Sequence, residues 1–269
     1  MKYIINILKG MIIGISNIIP GVSGGTMAVV MGIYDKTIYS VNNFFKDIKK
    51  NILFLGSIII GAGIGILLFT NLIDSLLKNY NEQTNFFFIG LIIGTIPLLY
   101  KRVTETKIKN ANYIAFIIGF IIVAGLGIMQ KANPETSFLS TIFKPNTLGF
   151  FIAGFIAAAT MILPGISGSF VLLLIGLYEP IIEIIKNFDI FNIIVAGIGV
   201  VGGFLLMTKL IEGIFNKYPQ TAYCIILGLV LGSVFVIYPG FTFGFMGIVS
   251  IVALIFGFLI AYIIGKNEK

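Results

Sequence analysis

Long apolar runs separated by short polar ones dominate the chain, and their lengths predict its elements. A transmembrane helix needs about 20 mainly apolar residues. Runs over 52–70, 85–100, 111–129, 190–208, 221–239 and 245–265 fit that requirement, so each predicts one span. Two other apolar regions, about 4–40 and 148–186, are too long for a single span. Each is broken near its middle, at Pro20 to Thr26 and at Pro164 to Ser169. Proline removes a backbone donor and clashes with the preceding turn, and glycine weakens the helix further. Each broken region is therefore expected to be a re-entrant hairpin. No loop is long enough for a soluble domain, and the apolar N-terminal run has no cleavage signature, so one membrane domain over 1–269 is expected.

The pattern occurs twice. At an offset of 144, Gly10, Pro20, Gly21, Ser23, Gly24, Gly32 and Tyr34 recur as Gly154, Pro164, Gly165, Ser167, Gly168, Gly176 and Tyr178, and Asp35 answers to Glu179. Further along the offset falls to 138, where Thr70, Asp74 and Tyr80 match Thr208, Glu212 and Tyr218. Collinear Pro, Ser, Tyr and acid matches point to an internal duplication, with repeat 1 at about 4–130 and repeat 2 at about 148–265. With one hairpin and three spans per half, an odd number, the second half enters the membrane inverted.

Composition fixes the class. The 269 residues are 58% hydrophobic and 11% charged, against about 25% charge in an average soluble domain. A soluble enzyme, a nucleic-acid binder and a disordered linker are excluded, leaving an all-α polytopic membrane protein. The net charge of +7 is then a statement about topology, because Lys and Arg gather in cytoplasmic loops. With both termini cytoplasmic, the hairpin topology places 14 of the 18 basic residues inside, leaving Lys78, Lys131, Lys144 and Lys186 outside. If the broken regions crossed as single helices, the same residues would divide nine to nine. The inside bias favours hairpins, and inverted repeats with broken helices near mid-membrane are a transporter plan.

Candidate chemistry is sparse. There is no histidine, and Cys224 is the one cysteine, so neither a metal site nor a catalytic residue nor a cofactor is expected. The elbows are the main signal. Ser23, Gly24, Gly25 and Thr26 open one helix, and Ser167, Gly168 and Ser169 open its counterpart. Helix N-termini present unpaired N–H groups and favour anions such as phosphate, and the hydroxyls add donors without charge. The plainer reading is a tight turn whose hydroxyl caps the next helix. Asp35, Glu179, Asp74 and Glu212 lie at span ends, and Arg102 is the sole arginine. All five are candidates for coupling or gating, although acids and bases at membrane interfaces are ordinary.

With both elbows in view, the sequence resembles the undecaprenyl phosphate translocase family PopT, formerly domain of unknown function 368. The resemblance rests on Pro20-Gly21-Val22-Ser23-Gly24-Gly25-Thr26 leading to Gly32-Ile33-Tyr34-Asp35. Its second part is Leu163-Pro164-Gly165-Ile166-Ser167-Gly168-Ser169 leading to Gly176-Leu177-Tyr178-Glu179. It implies a flippase of the bacterial plasma membrane that returns undecaprenyl phosphate, or a related polyisoprenyl phosphate, from the outer to the inner leaflet for envelope synthesis. Two rivals stand beside it. One is a membrane-embedded polyprenyl pyrophosphate phosphatase, which would be expected to carry an arginine in its Pro-Gly-x-Ser loop, where this chain has Gly24 and Gly168. The other is a transporter of a small soluble anion.

Overall fold

Every long apolar run is helical in the computed structural model, which describes residues 2–19, 22–104, 110–131 and 143–267. Twelve α-helices, one 3₁₀ turn and no strand occur among the described residues. The first half contains α1 (Lys2–Ile18), α2 (Gly24–Val30), α3 (Tyr34–Asn42), α4 (Ile48–Asn79), α5 (Asn81–Thr104) and α6 (Asn110–Lys131). The second contains α7 (Thr147–Ile162), α8 (Gly168–Leu174), α9 (Tyr178–Lys186), α10 (Ile190–Lys217), α11 (Pro219–Ile237) and α12 (Phe245–Asn267). The long helices α4, α5, α6, α10, α11 and α12 are long and apolar enough to cross a membrane, and they coincide with the six expected spans. This is a multi-pass membrane protein.

Local chemistry sets the breaks. α4 and α10 end at Tyr80 and Tyr218, whose N–H groups bond the carbonyls of Leu76 and Ile214. Pro219 then takes the first position of α11, where a missing N–H costs nothing. The two broken regions are interrupted twice each. Pro20 and Gly21 lie outside the described residues, but Pro164 is fully buried and Gly165 adopts φ 81°. A second turn at Gly32 (φ 64°) or Gly176 (φ 72°) needs the left-handed backbone that glycine tolerates. At Gly176 the chain bends by 107° between α8 and α9.

Contacts repeat along with the sequence. α1 packs on α4 as α7 packs on α10. A Cβ added at Gly61 or Gly65 would strike the carbonyls of Ile7 or Met11, and one at Gly199 or Gly203 those of Phe151 or Phe155. These are the same contacts, shifted by the offsets that relate the two halves. Small residues at this spacing let helix backbones approach closely where lipid supplies no hydrophobic drive. The remaining pairs cross over. α5 packs on α12 through Gly90 against Leu254, and α11 packs on α6 through Gly228 against Phe116. The third long helix of each half is thus seated on the other half. α5 and α11 also touch and are the most enclosed spans, whereas Ile59, Leu67 and Leu68 of α4 are exposed on the outer surface, as lipid contact requires.

Candidate functional site

The two elbows meet. Ser23 precedes α2 in extended backbone, and its Oγ accepts from the N–H groups of Gly25 (3.1 Å) and Thr26 (3.5 Å). That capping interaction typically stabilises a helix by about 1 kcal/mol. The same hydroxyl donates to the Leu163 carbonyl (3.3 Å), while Thr26 Oγ1 accepts from the Gly165 N–H (2.6 Å). A Cβ at Gly25 would lie 2.8 Å from the Ile162 carbonyl, so only glycine permits this approach. Ser23 and Thr26 are both buried. In this conformation the first elbow's hydroxyls are occupied by helix capping and by the second elbow.

The second elbow has the same backbone and a different use of its hydroxyls. Ser167 also precedes its helix in extended conformation, yet its side chain makes no cap. Its Oγ lies 2.9 Å from Ser169 Oγ, and that pair is exposed. Ser167 lines a narrow cavity of about 10 Å³ walled by Leu126 and Gly127 of α6 and Val236 of α11. Gly24 packs on the Asn17 side chain and Gly168 on Met161 and the Ala157 carbonyl, so both glycines serve close packing.

Beyond the elbow an apolar crevice of about 70 Å³ runs between α10 and α11. It extends from Leu163 and Pro164 to Tyr34 and Phe215. Phe215 also lines a cavity of about 200 Å³ that holds two of the candidate acids, Asp35 and Glu212. One comes from each half. Tyr223 donates to Asp35 Oδ2 (2.6 Å), and Asn43 Nδ2 donates to Glu212 Oε1 (2.7 Å). Asn42 and Thr208 exchange two more bonds: Asn42 Nδ2 to the Thr208 carbonyl (2.7 Å) and Thr208 Oγ1 to Asn42 Oδ1 (2.9 Å). Phe215 lies tilted against Tyr34 and edge-on to Tyr223, with ring centroids 6.4 and 5.2 Å apart. Together these contacts fasten α3 to α10.

The corresponding residues of the other pair, α9 and α4, are used differently. Thr70, the counterpart of Thr208, is exposed and bonds its own helix at Ile66. Asp74, the counterpart of Glu212, is exposed and pairs with Lys78 one turn on (2.7 Å). Glu179 and Arg102 are exposed at the start of α9 and near the end of α5. Of the five charged candidates, Asp35 and Glu212 share a cavity. Sequence reasoning passed over Asn42, Asn43 and Tyr223. The available signal was two consecutive amides ending an amphipathic helix in a chain otherwise poor in polar side chains.

Comparison with known proteins fits this arrangement. A family model described as VCA0040-like, undecaprenyl phosphate translocase-like, matches residues 13–247. A protein of Staphylococcus aureus (strain NCTC 8325 / PS 47) named polyprenyl-phosphate transporter is 36% identical over 271 residues, covering 97% of this chain and 96% of that protein. A protein of the same name from Vibrio cholerae serotype O1 (strain ATCC 39315 / El Tor Inaba N16961) is 30% identical over 253 residues, covering 89% and 79%. No solved structure matches the chain.

Proposed function

The chain belongs to the undecaprenyl phosphate translocase-like family, and from that premise we propose that it moves a polyprenyl phosphate, undecaprenyl phosphate in the bacterial plasma membrane, from the outer to the inner leaflet. The observation that carries this reading is the second elbow. The Ser167 hydroxyl makes no helix cap, bonds Ser169 and lines a narrow cavity, and Leu163 and Pro164 of the same elbow line an apolar crevice. A phosphate taken bare into hydrocarbon faces a desolvation cost of many kcal/mol. Neutral donors replace part of its water shell, while the crevice between α10 and α11 gives the isoprenoid tail an apolar bed. A small soluble anion would have no use for such a crevice.

The two halves are read as inverted, with α1–α2 and α7–α8 as hairpins entering from opposite faces and meeting at their elbows. On this topology, the fastening of α3 to α10 closes the cytoplasmic side. The parted α4 and α9 leave the outer side open, where Ser167 and Ser169 await a headgroup. Exchange to the opposite state would release Asn42 and Asn43 from α10 and bring Lys186 and Asn187 against Thr70 and Asp74. The first elbow's hydroxyls would then be freed for the phosphate.

The test is transport of a fluorescent short-chain polyprenyl phosphate in reconstituted vesicles, read by quenching of the outer leaflet. Each hydroxyl bond to an anion is worth on the order of tenfold. The double variant Ser167→Ala, Ser169→Ala should therefore slow transport by on the order of a hundredfold with the melting temperature unchanged. Ser23→Ala, by contrast, should also lower stability by about 1 kcal/mol, because it removes a helix cap. Wild-type transport in the Ser167, Ser169 variant would remove the elbow from the mechanism.

A further inference from the structure

A concentration of positive charge around a concavity lies away from the elbows. Lys36, Lys46 and Lys50 line a cavity of about 200 Å³ between α3, the 3₁₀ turn Phe44–Lys46 and the start of α4. One carboxylate, Asp47, lines it with them. Its polar wall is built and held. Ser40, Asn43 and Asn51 are all buried, and Asn51 Nδ2 ties down the loop by donating to the carbonyls of Asn43 (2.8 Å) and Phe44 (3.3 Å). Lys36 Nζ sits 3.9 Å from the centre of the Phe54 ring, which fixes the direction of that side chain.

Lysines near a cytoplasmic membrane face are expected from topology alone. Topology does not gather three of them around one pocket with a buried hydroxyl in its wall. Nor does the duplication supply the feature. At the offset of 144 that relates α3 to α9, Lys36 corresponds to Pro180 and Ser40 to Ile184. The scaffold is repeated, but the charge is present in one half only.

The cavity also adjoins the contact that fastens α3 to α10. Tyr39 lines both it and the acid-bearing cavity, and Asn43, in the lysine cavity's wall, holds Glu212 through its side-chain amide. We propose that this cavity is a second phosphate site. It takes a phosphate monoester by charge-assisted bonds from the three ammonium groups and, on the transport reading for its occupant, receives the lipid headgroup once the α3–α10 contact opens. Compact ammonium groups suit a phosphate presented as a point charge. A site of this kind on one side alone gives an otherwise two-fold device a preferred direction of release.

The experiment is native mass spectrometry of the full chain purified in detergent, titrated separately with a short-chain polyprenyl phosphate, phosphatidylglycerol and inorganic phosphate. The variant Lys36→Gln, Lys46→Gln, Lys50→Gln is compared with Lys101→Gln, Lys209→Gln, Lys266→Gln, which removes the same charge from exposed positions elsewhere. Charge-assisted bonds of this kind are worth about tenfold or more each. The cavity variant should lose at least about tenfold in affinity for the phosphate probes relative to the control variant, and replacement of the same three lysines by arginine should restore binding. Preference for the polyprenyl probe would identify the carrier lipid as occupant. Equal loss for phosphatidylglycerol or for inorganic phosphate would identify an ordinary anionic lipid or a free anion at the same site. Equal affinity of the cavity and control variants for all three probes would overturn the proposal. Because the readout is binding, a failed transport assay would sink the transport reading and leave this one standing.

Discussion

The contact between α3 and α10 can be weakened selectively, because its bonds are few and known. Asn42→Ala removes two, at 2.7 and 2.9 Å. The Thr208 hydroxyl has one proton, and without Asn42 it turns to the Phe204 or Leu205 carbonyl (2.9 and 3.1 Å), so no buried donor is orphaned and the net loss is the amide bond to the Thr208 carbonyl. Each ordinary hydrogen bond contributes about 1 kcal/mol net. The closed state should therefore lose about 1 kcal/mol, which raises the open population about fivefold. Ile38 is the reporter, since it lines the acid-bearing cavity and is buried while that contact holds. In a Cys224→Ser background, Ile38→Cys should react with a membrane-impermeant maleimide about five times faster when Asn42→Ala is present. Asn187→Ala, on the opposite pair, should leave that rate unchanged. An unchanged rate with Asn42→Ala, or an equal rise with Asn187→Ala, would refute the idea that these bonds hold one side shut.

Two further outcomes follow from packing and topology. Gly199→Ala places a methyl group against the Phe151 carbonyl and should cost about 1–3 kcal/mol by overpacking, whereas Gly213→Ala, which meets open space, should be neutral; melting curves in detergent separate the two. In the same cysteine-free background, Lys46→Cys and Lys186→Cys should label from opposite sides of the membrane, and labelling from one side would rule out the inverted arrangement.

The spans were legible because hydrocarbon imposes a length, and six apolar runs met it. Close helix contacts were legible, since glycines recurring at fixed offsets mark where backbones touch. The division of labour at the elbows was not. Ser23 and Ser167 occupy equivalent positions in nearly the same backbone conformation, and only side-chain rotation and the approach of Gly25 to Ile162 decide which hydroxyl is enclosed. The acids were half legible. Asp35 and Glu212 face one cavity because α3 has closed on α10, and the same sequence logic applied to Glu179 and Asp74 fails where α9 and α4 are parted. Lys36, Lys46 and Lys50 were absorbed into a topology count that had no means of registering concavity.

The crossed seating of α6 on α11 and of α12 on α5 means that neither half owns a complete core. Severing the chain between the halves should give fragments that are insoluble apart and functional only when co-expressed. The four crossed helices form one frame to which each half contributes two members, and the α1–α4 and α7–α10 pairs hang from it on either flank. The recurring pattern spans six helices, but the pairs that hang from the frame are smaller than that unit. An ancestor made of separate identical chains would already have been an obligate dimer.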